Sequence, residues 1–258
     1  MESTYGANRA YFIGEIDAFA FAACHIVEYA LKKHELLDSA TTPDGNVLTL
    51  HRHDGAYTIK VDGVELMSSR RHASEDVLAE LVCAPLVERG VRGATVLIGG
   101  LGLGFTVHAA LRALPADAHV VVVEIMAEVI RWNQNPAYEI STEALRDPRV
   151  ELRHADAADV VAESPARFDG IMLDLDNGAE AMTTESRALL YRAAGIRSAA
   201  AALRSGGVLA YWSLGPDSAF EHALRGAGLD VAMTQVRAHT TAGPRHSIYV
   251  CSKRPLRP

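Results

Sequence analysis

Three carboxylates, Glu124, Asp156 and Asp174, stand at the ends of three successive strand-like segments, VVVVE, RVELRHAD and FDGIMLD. They follow a glycine-rich stretch, Thr95–Thr106 (TVLIGGLGLGFT), and Glu124 comes twenty residues after Gly104. A carboxylate accepts two hydrogen bonds side by side, as the vicinal hydroxyls of a ribose require, and beside a nucleophile it can take a proton. Gly99, Gly100, Gly102 and Gly104 let the backbone turn tightly and approach a ligand without interference from a Cβ. The helix expected after them presents free N–H groups and the positive end of its dipole. The spacing is G-x-G-x-G rather than G-x-G-x-x-G, and no Gly-Lys-Ser/Thr follows, so a P-loop is excluded. One acid after a strand is unremarkable, whereas three in register behind a glycine loop mark a ligand crevice along one sheet edge, with Glu124 as the ribose ligand.

The elements that must position these residues read as alternating strands and helices. Thr95–Ile98, His119–Glu124, Arg149–Arg153, Gly170–Asp174 and Val208–Trp212 are expected as buried parallel strands, and Leu229–Arg237 with Ser247–Cys251 as a terminal antiparallel pair. The fold class is therefore α/β, a doubly wound, seven-stranded Rossmann-like sheet over residues 87–258. Upstream, residues 35–86 read as a small β-meander and a linking helix. Val47–Arg52, Tyr57–Val61 and Val64–Met67 are separated there by the turn signals Asp54-Gly55 and Asp62-Gly63. Residues 1–34 read as a helical segment, because Ile16, Phe19, Ala23, Val27, Ala30 and Leu31 share one stripe of a helix over Glu15–His34.

GGLGLG followed by VVVVEIMAEVI, the acid Asp156 and the stretch LDLDNG resemble the S-adenosylmethionine-type transferases, specifically their spermidine synthase-like branch. The resemblance runs from about Glu35 to the end of the chain. It implies a class I methyltransferase-like fold with S-adenosylmethionine, or its decarboxylated form, as cofactor. In that arrangement Glu124 holds the ribose and Asp156 the adenine amino group, with Ala157 beside it. Gly99, Gly100, Gly102 and Gly104 lie along the methionine-derived tail, and Asp174 sits over the reacting sulfonium. Asp174 is then the proton acceptor for the attacking group, or orients an amine, and Asp176 is the second candidate. Tyr191 fits the family's pattern in the helix that follows and is expected to contact the acceptor substrate.

Four motifs of the polyamine synthases of that branch are altered, one of them the Tyr before their helix glutamate, where this chain has Val77. Gly102 stands where their loop carries an Asp, Leu66 where they carry a Gln, and Asp174-Leu175-Asp176-Asn177-Gly178 replaces their DSxDP. A long dication needs buried acceptors at defined places, so the chain is expected to take another acceptor. Gly102 is expected to leave room around the tail, which favours intact S-adenosylmethionine and methyl transfer. Aminopropyl or aminocarboxypropyl transfer is the alternative, and a non-catalytic nucleotide-binding scaffold is the alternative of another class.

The acceptor is expected to meet Trp212, at the end of the fifth strand, together with His72 and Glu75 of the charged patch after the meander. His108 and His246 read as structural. The formal charge of −7 and the lack of any Lys/Arg-rich run speak against nucleic acid and suit an amine-bearing small molecule. Cys24, Cys83 and Cys251 are widely spaced and odd in number, which suits buried thiols rather than disulfides or a metal site. The chain reads as a cytoplasmic homodimer with no membrane segment and no signal peptide.

Overall fold

The computed structural model describes residues 34–42, 45–175, 189–237 and 245–253. The expected helix over Glu15–His34, apart from His34 itself, lies outside those residues, as do Cys24 and Asp176. His34 opens a strand. Strands β1 (His34–Thr41), β2 (Val47–His53), β3 (Ala56–Val61) and β4 (Val64–Ser68) pair in that order as an antiparallel sheet. The two expected turns join β2 to β3 and β3 to β4. Asp54 and Gly55 have φ of 55° and 75°, Asp62 and Gly63 of 47° and 81°, the left-handed pair that a two-residue hairpin matching strand twist requires. The first strand escapes sequence reading for a physical reason: its register with β2 shifts between Leu36 and Asp38, which breaks the alternation of buried and exposed residues.

Helix α1 (Ala73–Glu88) leads from this sheet into alternating strands and helices: β5 (Thr95–Gly99), α2 (Phe105–Ala113), β6 (His119–Glu124), α3 (Ala127–Gln134), α4 (Thr142–Leu145) and β7 (Val150–His154). Then come α5 (Ala157–Ala162), β8 (Phe168–Leu173), α6 (Ala193–Ala202), β9 (Leu203–Ser213), α7 (Ser218–Gly226), β10 (Leu229–Arg237) and β11 (Arg245–Lys253). The seven strands lie in the order β10-β11-β9-β8-β5-β6-β7. β5 and β6 are parallel neighbours, as expected, with Thr95 opposite His119. β11 runs antiparallel between β9 and β10. Among the described residues no helix is long and apolar enough to cross a membrane.

Alternation along each strand sends successive residues to opposite faces and builds two cores. Val96, Ile98, Val120, Val122, Met172, Ala210 and Trp212 face α1 and the N-terminal sheet, while Leu97, Val121, Val123, Leu173, Leu209 and Tyr211 face the other way. Leu48, Leu50, Ile59 and Val61 complete the first core, so the small sheet is held by apolar burial. Polar contacts fix its orientation. Asp38 accepts from Trp132 Nε1 at 2.9 Å and from Arg131 at 3.1 Å, and the Tyr57 hydroxyl accepts from Glu139 N–H at 3.2 Å.

Burial alone would raise the Asp38 pKa, and the bonds from Trp132, Ser39 N–H and Arg131 outweigh it and hold the carboxyl below its ordinary value. A depressed acid stabilises the fold fully above its unfolded pKa, and that contribution is lost as pH falls through the folded value. Asp38→Asn should therefore lower stability by about 1 kcal/mol at neutral pH, the worth of a partly exposed charged pair. In denaturant titrations the difference from wild type should shrink to nothing in acid below the lowered pKa.

A candidate cofactor cleft at the glycine loop

The turn from β5 to α2 is built by glycines that no other residue can replace without strain. Gly100 has φ of 94°, and a Cβ there would stand 2.6 Å from the Asp174 carbonyl oxygen. The loop thus lies against the end of β8, where Asp174 N–H continues the ladder by donating to Gly99 O at 3.0 Å. A Cβ at Gly99 would meet Leu173 at 2.8 Å and Ala157 at 3.3 Å, so Ala157, first residue of α5, backs the loop from behind. Gly104, at φ of 79°, precedes α2 and packs on Ser141.

Glu124 ties the loop to the next strand. Its carboxylate is buried, accepting from Leu101 N–H through Oε2 and from Met126 N–H through Oε1, both at 2.9 Å. Each oxygen keeps a second lone pair, so both can still accept from a ligand's hydroxyls. A second buried group braces the loop from below. Asn133 donates to Gly102 O and Val129 O at 2.8 Å and accepts from Ser141 Oγ at 2.5 Å. Nothing in the sequence marks Asn133, since one polar residue on a short helix carries no spacing signal.

Between the loop and the N-terminal sheet lies a cleft of about 520 Å³, including its open mouth, lined by Leu48, Ile59, Leu66, Met67, Gly100, Leu101, Gly102, Glu124, Met126, Val129, Asp174 and Leu175. Among the described residues Glu124 and Asp174 are the ionisable groups on that lining, and both are buried. The room expected beside Gly102 is taken: a Cβ at that position would stand 2.5 Å from Met67 Cε. Asp156 is the N-cap of α5 and spends one oxygen on Ala158 N–H at 2.8 Å.

The expected acceptor residues separate. Asp174 follows the end of β8 and Trp212 lies within β9, each one residue past the paired Leu173 and Tyr211. Trp212 is buried, its Nε1 has no hydrogen-bond partner among the described residues, and its ring meets His246 edge-on at 4.4 Å. Glu75 joins this group: Ser74 Oγ donates to it at 2.6 Å and lies 3.1 Å from His246 Nδ1. With the hydroxyl proton on Glu75, His246 Nδ1–H donates to Ser74 and leaves Nε2 as an acceptor. Burial, then the nearby Arg71, lowers the His246 pKa, while burial raises that of Glu75. Ser74 and His246 were not expected here; only the pairing of β11 with β9 brings His246 beside α1.

His72 and Tyr191 turn elsewhere. The His72 ring stacks on Phe105 at 4.2 Å and its Nδ1 pairs with Asp76 at 2.8 Å, away from the cleft lining. Tyr191 packs into the opposite core against Tyr211 and Phe220, and its hydroxyl donates to the Trp212 carbonyl at 3.1 Å. Cys83 and Cys251 are buried free thiols, each pushed up to about 12 by desolvation.

Solved structures share this architecture. Spermidine synthase from Thermotoga maritima aligns over 84% of this chain and 72% of its own, at a TM-score of 0.67 and 18% identity. A spermidine synthase in complex with the transition-state analogue AdoDATO aligns over the same shares at 0.65 and 18%. The chain has the spermidine synthase fold. No protein-family model and no curated protein matches its sequence.

Within this fold the glycine loop depends on the Asn133 brace. Asn133→Ala removes three hydrogen bonds and leaves the buried Ser141 Oγ and the half-buried Gly102 O without that partner. It should cost about 2–4 kcal/mol of stability, read from the denaturation midpoint.

Proposed function

We propose that the chain is an S-adenosylmethionine-dependent transferase that alkylates a small amine-bearing molecule. The observation carrying this reading is the Glu124 carboxylate, buried at the end of β6 with acceptor capacity left on both oxygens, facing a positive-φ glycine loop and Asp174 across one cleft. Those residues fit the cofactor: Glu124 would hold the ribose, Asp156 and Ala157 the adenine end, and the loop from Gly99 to Gly104 the tail. When bound, the cofactor supplies a sulfonium-activated carbon for in-line displacement.

This chain's own residues do the rest. Leu48, Ile59, Leu66 and Leu101 make apolar walls that exclude water from the cleft. Asp174 accepts the proton of the attacking amine or holds it in line. Methyl transfer from the intact cofactor is favoured because the loop bears no carboxylate at position 102: the intact tail carries its own carboxylate beside its ammonium, whereas a decarboxylated tail would leave its ammonium without that counter-charge. The likeness in fold favours aminopropyl transfer as a second reading. The by-product discriminates: S-adenosylhomocysteine marks methyl transfer and methylthioadenosine marks the other.

Glu124→Gln should weaken binding of methylthioadenosine by about 1.5–3 kcal/mol, since a charged acceptor is lost. Calorimetry that finds no change would contradict the use of this cleft. Asp174→Asn should keep the cofactor affinity and lower turnover by about 10²–10⁴-fold, the range for a lost general base. A crippling Asp176→Asn with a mild Asp174→Asn would move the proton acceptor two residues along.

A further inference from the structure

The space a side chain at position 102 would occupy is filled from β4. Met67 Cε and Sδ lie 2.5 and 2.6 Å from the point where a Cβ on Gly102 would stand, and Sδ accepts from Leu103 N–H at 3.1 Å. That amide is distinctive within the loop. Gly100 N–H donates to Val123 O at 2.9 Å, Leu101 N–H to the Glu124 carboxylate at 2.9 Å and Gly104 N–H to Leu101 O at 2.7 Å, all oxygen acceptors. Leu103 N–H instead meets a thioether, a weak acceptor, at the entrance to α2 where the backbone favours an anion. The Met67 side chain is half-buried, lines the cleft and has three rotatable bonds, so it can leave without moving the sheet.

We propose that Met67 is a displaceable latch over the part of the cleft that receives the cofactor's amino-acid tail, and so sets which cofactor forms the chain accepts. The inference rests on the reading of the cleft as an S-adenosyl site. A ligand carrying the full tail pushes the thioether out, and its carboxylate takes over Leu103 N–H. A ligand that ends shortly beyond the sulfur leaves Met67 in place. Wild-type affinity for tailed ligands is thereby lowered by the cost of opening the latch, while affinity for the bare thionucleoside is untouched.

Calorimetry with S-adenosylhomocysteine and methylthioadenosine tests this on wild type, Met67→Ala and Met67→Leu. Removal of the latch should tighten S-adenosylhomocysteine by about five- to tenfold, the equivalent of one weak hydrogen bond and its packing, with methylthioadenosine unchanged within about twofold. Met67→Leu keeps most of the bulk and should gain less, and thermal melts of both variants show whether the sheet is intact. In protein labelled with ¹³C at the methionine methyls, the resonance missing from Met67→Ala should shift with S-adenosylhomocysteine and stay in place with methylthioadenosine. Affinities that move in parallel for both ligands, a loss for S-adenosylhomocysteine alone, or a methyl resonance that responds equally to both would overturn the latch while leaving the cofactor cleft standing. Failure of wild type to bind methylthioadenosine at all would overturn the cleft and the latch together.

Discussion

A buried carboxylate has to be satisfied, and the way Glu124 is satisfied holds the cleft together. One oxygen takes the Leu101 amide from the glycine loop and the other the Met126 amide from the turn after β6. These bonds require the loop to double back, which it does through Gly100 with the Asp174 carbonyl packed where a side chain would be. The ends of β5, β6 and β8 are therefore fixed by one mutual arrangement. The carboxylate cannot lose its amides without a desolvation penalty of several kcal/mol, and the loop cannot relax without exposing them. The same group that orders the loop keeps one lone pair on each oxygen turned to no backbone amide.

The N-terminal sheet decides the character of the opposite wall. Its contribution is aliphatic, from Leu48, Ile59, Leu66 and Met67, so among the described residues the charge lining the cleft comes from the two acids on the Rossmann-like side. From Asp174 the strand ends continue through Trp212 to His246, Ser74 and Glu75, a polar group beneath the start of α1. Among the described residues Trp212 Nε1 has no hydrogen-bond partner, and His246 Nδ1 lies 3.1 Å from Ser74 Oγ.

The parallel strands, the Asp-Gly hairpins and the acids at the strand ends were legible because each rests on a local pattern: continuous apolar runs, residues that tolerate positive φ, and a polar residue where a strand meets solvent. What escaped is non-local. β1 is hidden by its bulge, and Asn133 braces Gly102 from thirty-one residues away. Met67 fills a space that the sequence suggested was open, because the facing strand belongs to a different sheet. His72 and Tyr191 were expected at the acceptor, yet stacking on Phe105 and packing against Tyr211 and Phe220 claim their rings.

The account stands or falls on whether the adenosine of an S-adenosyl cofactor enters beneath Glu124. An amide ¹H–¹⁵N titration of the wild-type chain with S-adenosylhomocysteine tests it most directly. The account predicts saturable shifts concentrated at Leu101, Gly102, Leu103, Met126 and Ala157. Shifts centred away from the glycine loop, or none at millimolar ligand, would contradict it.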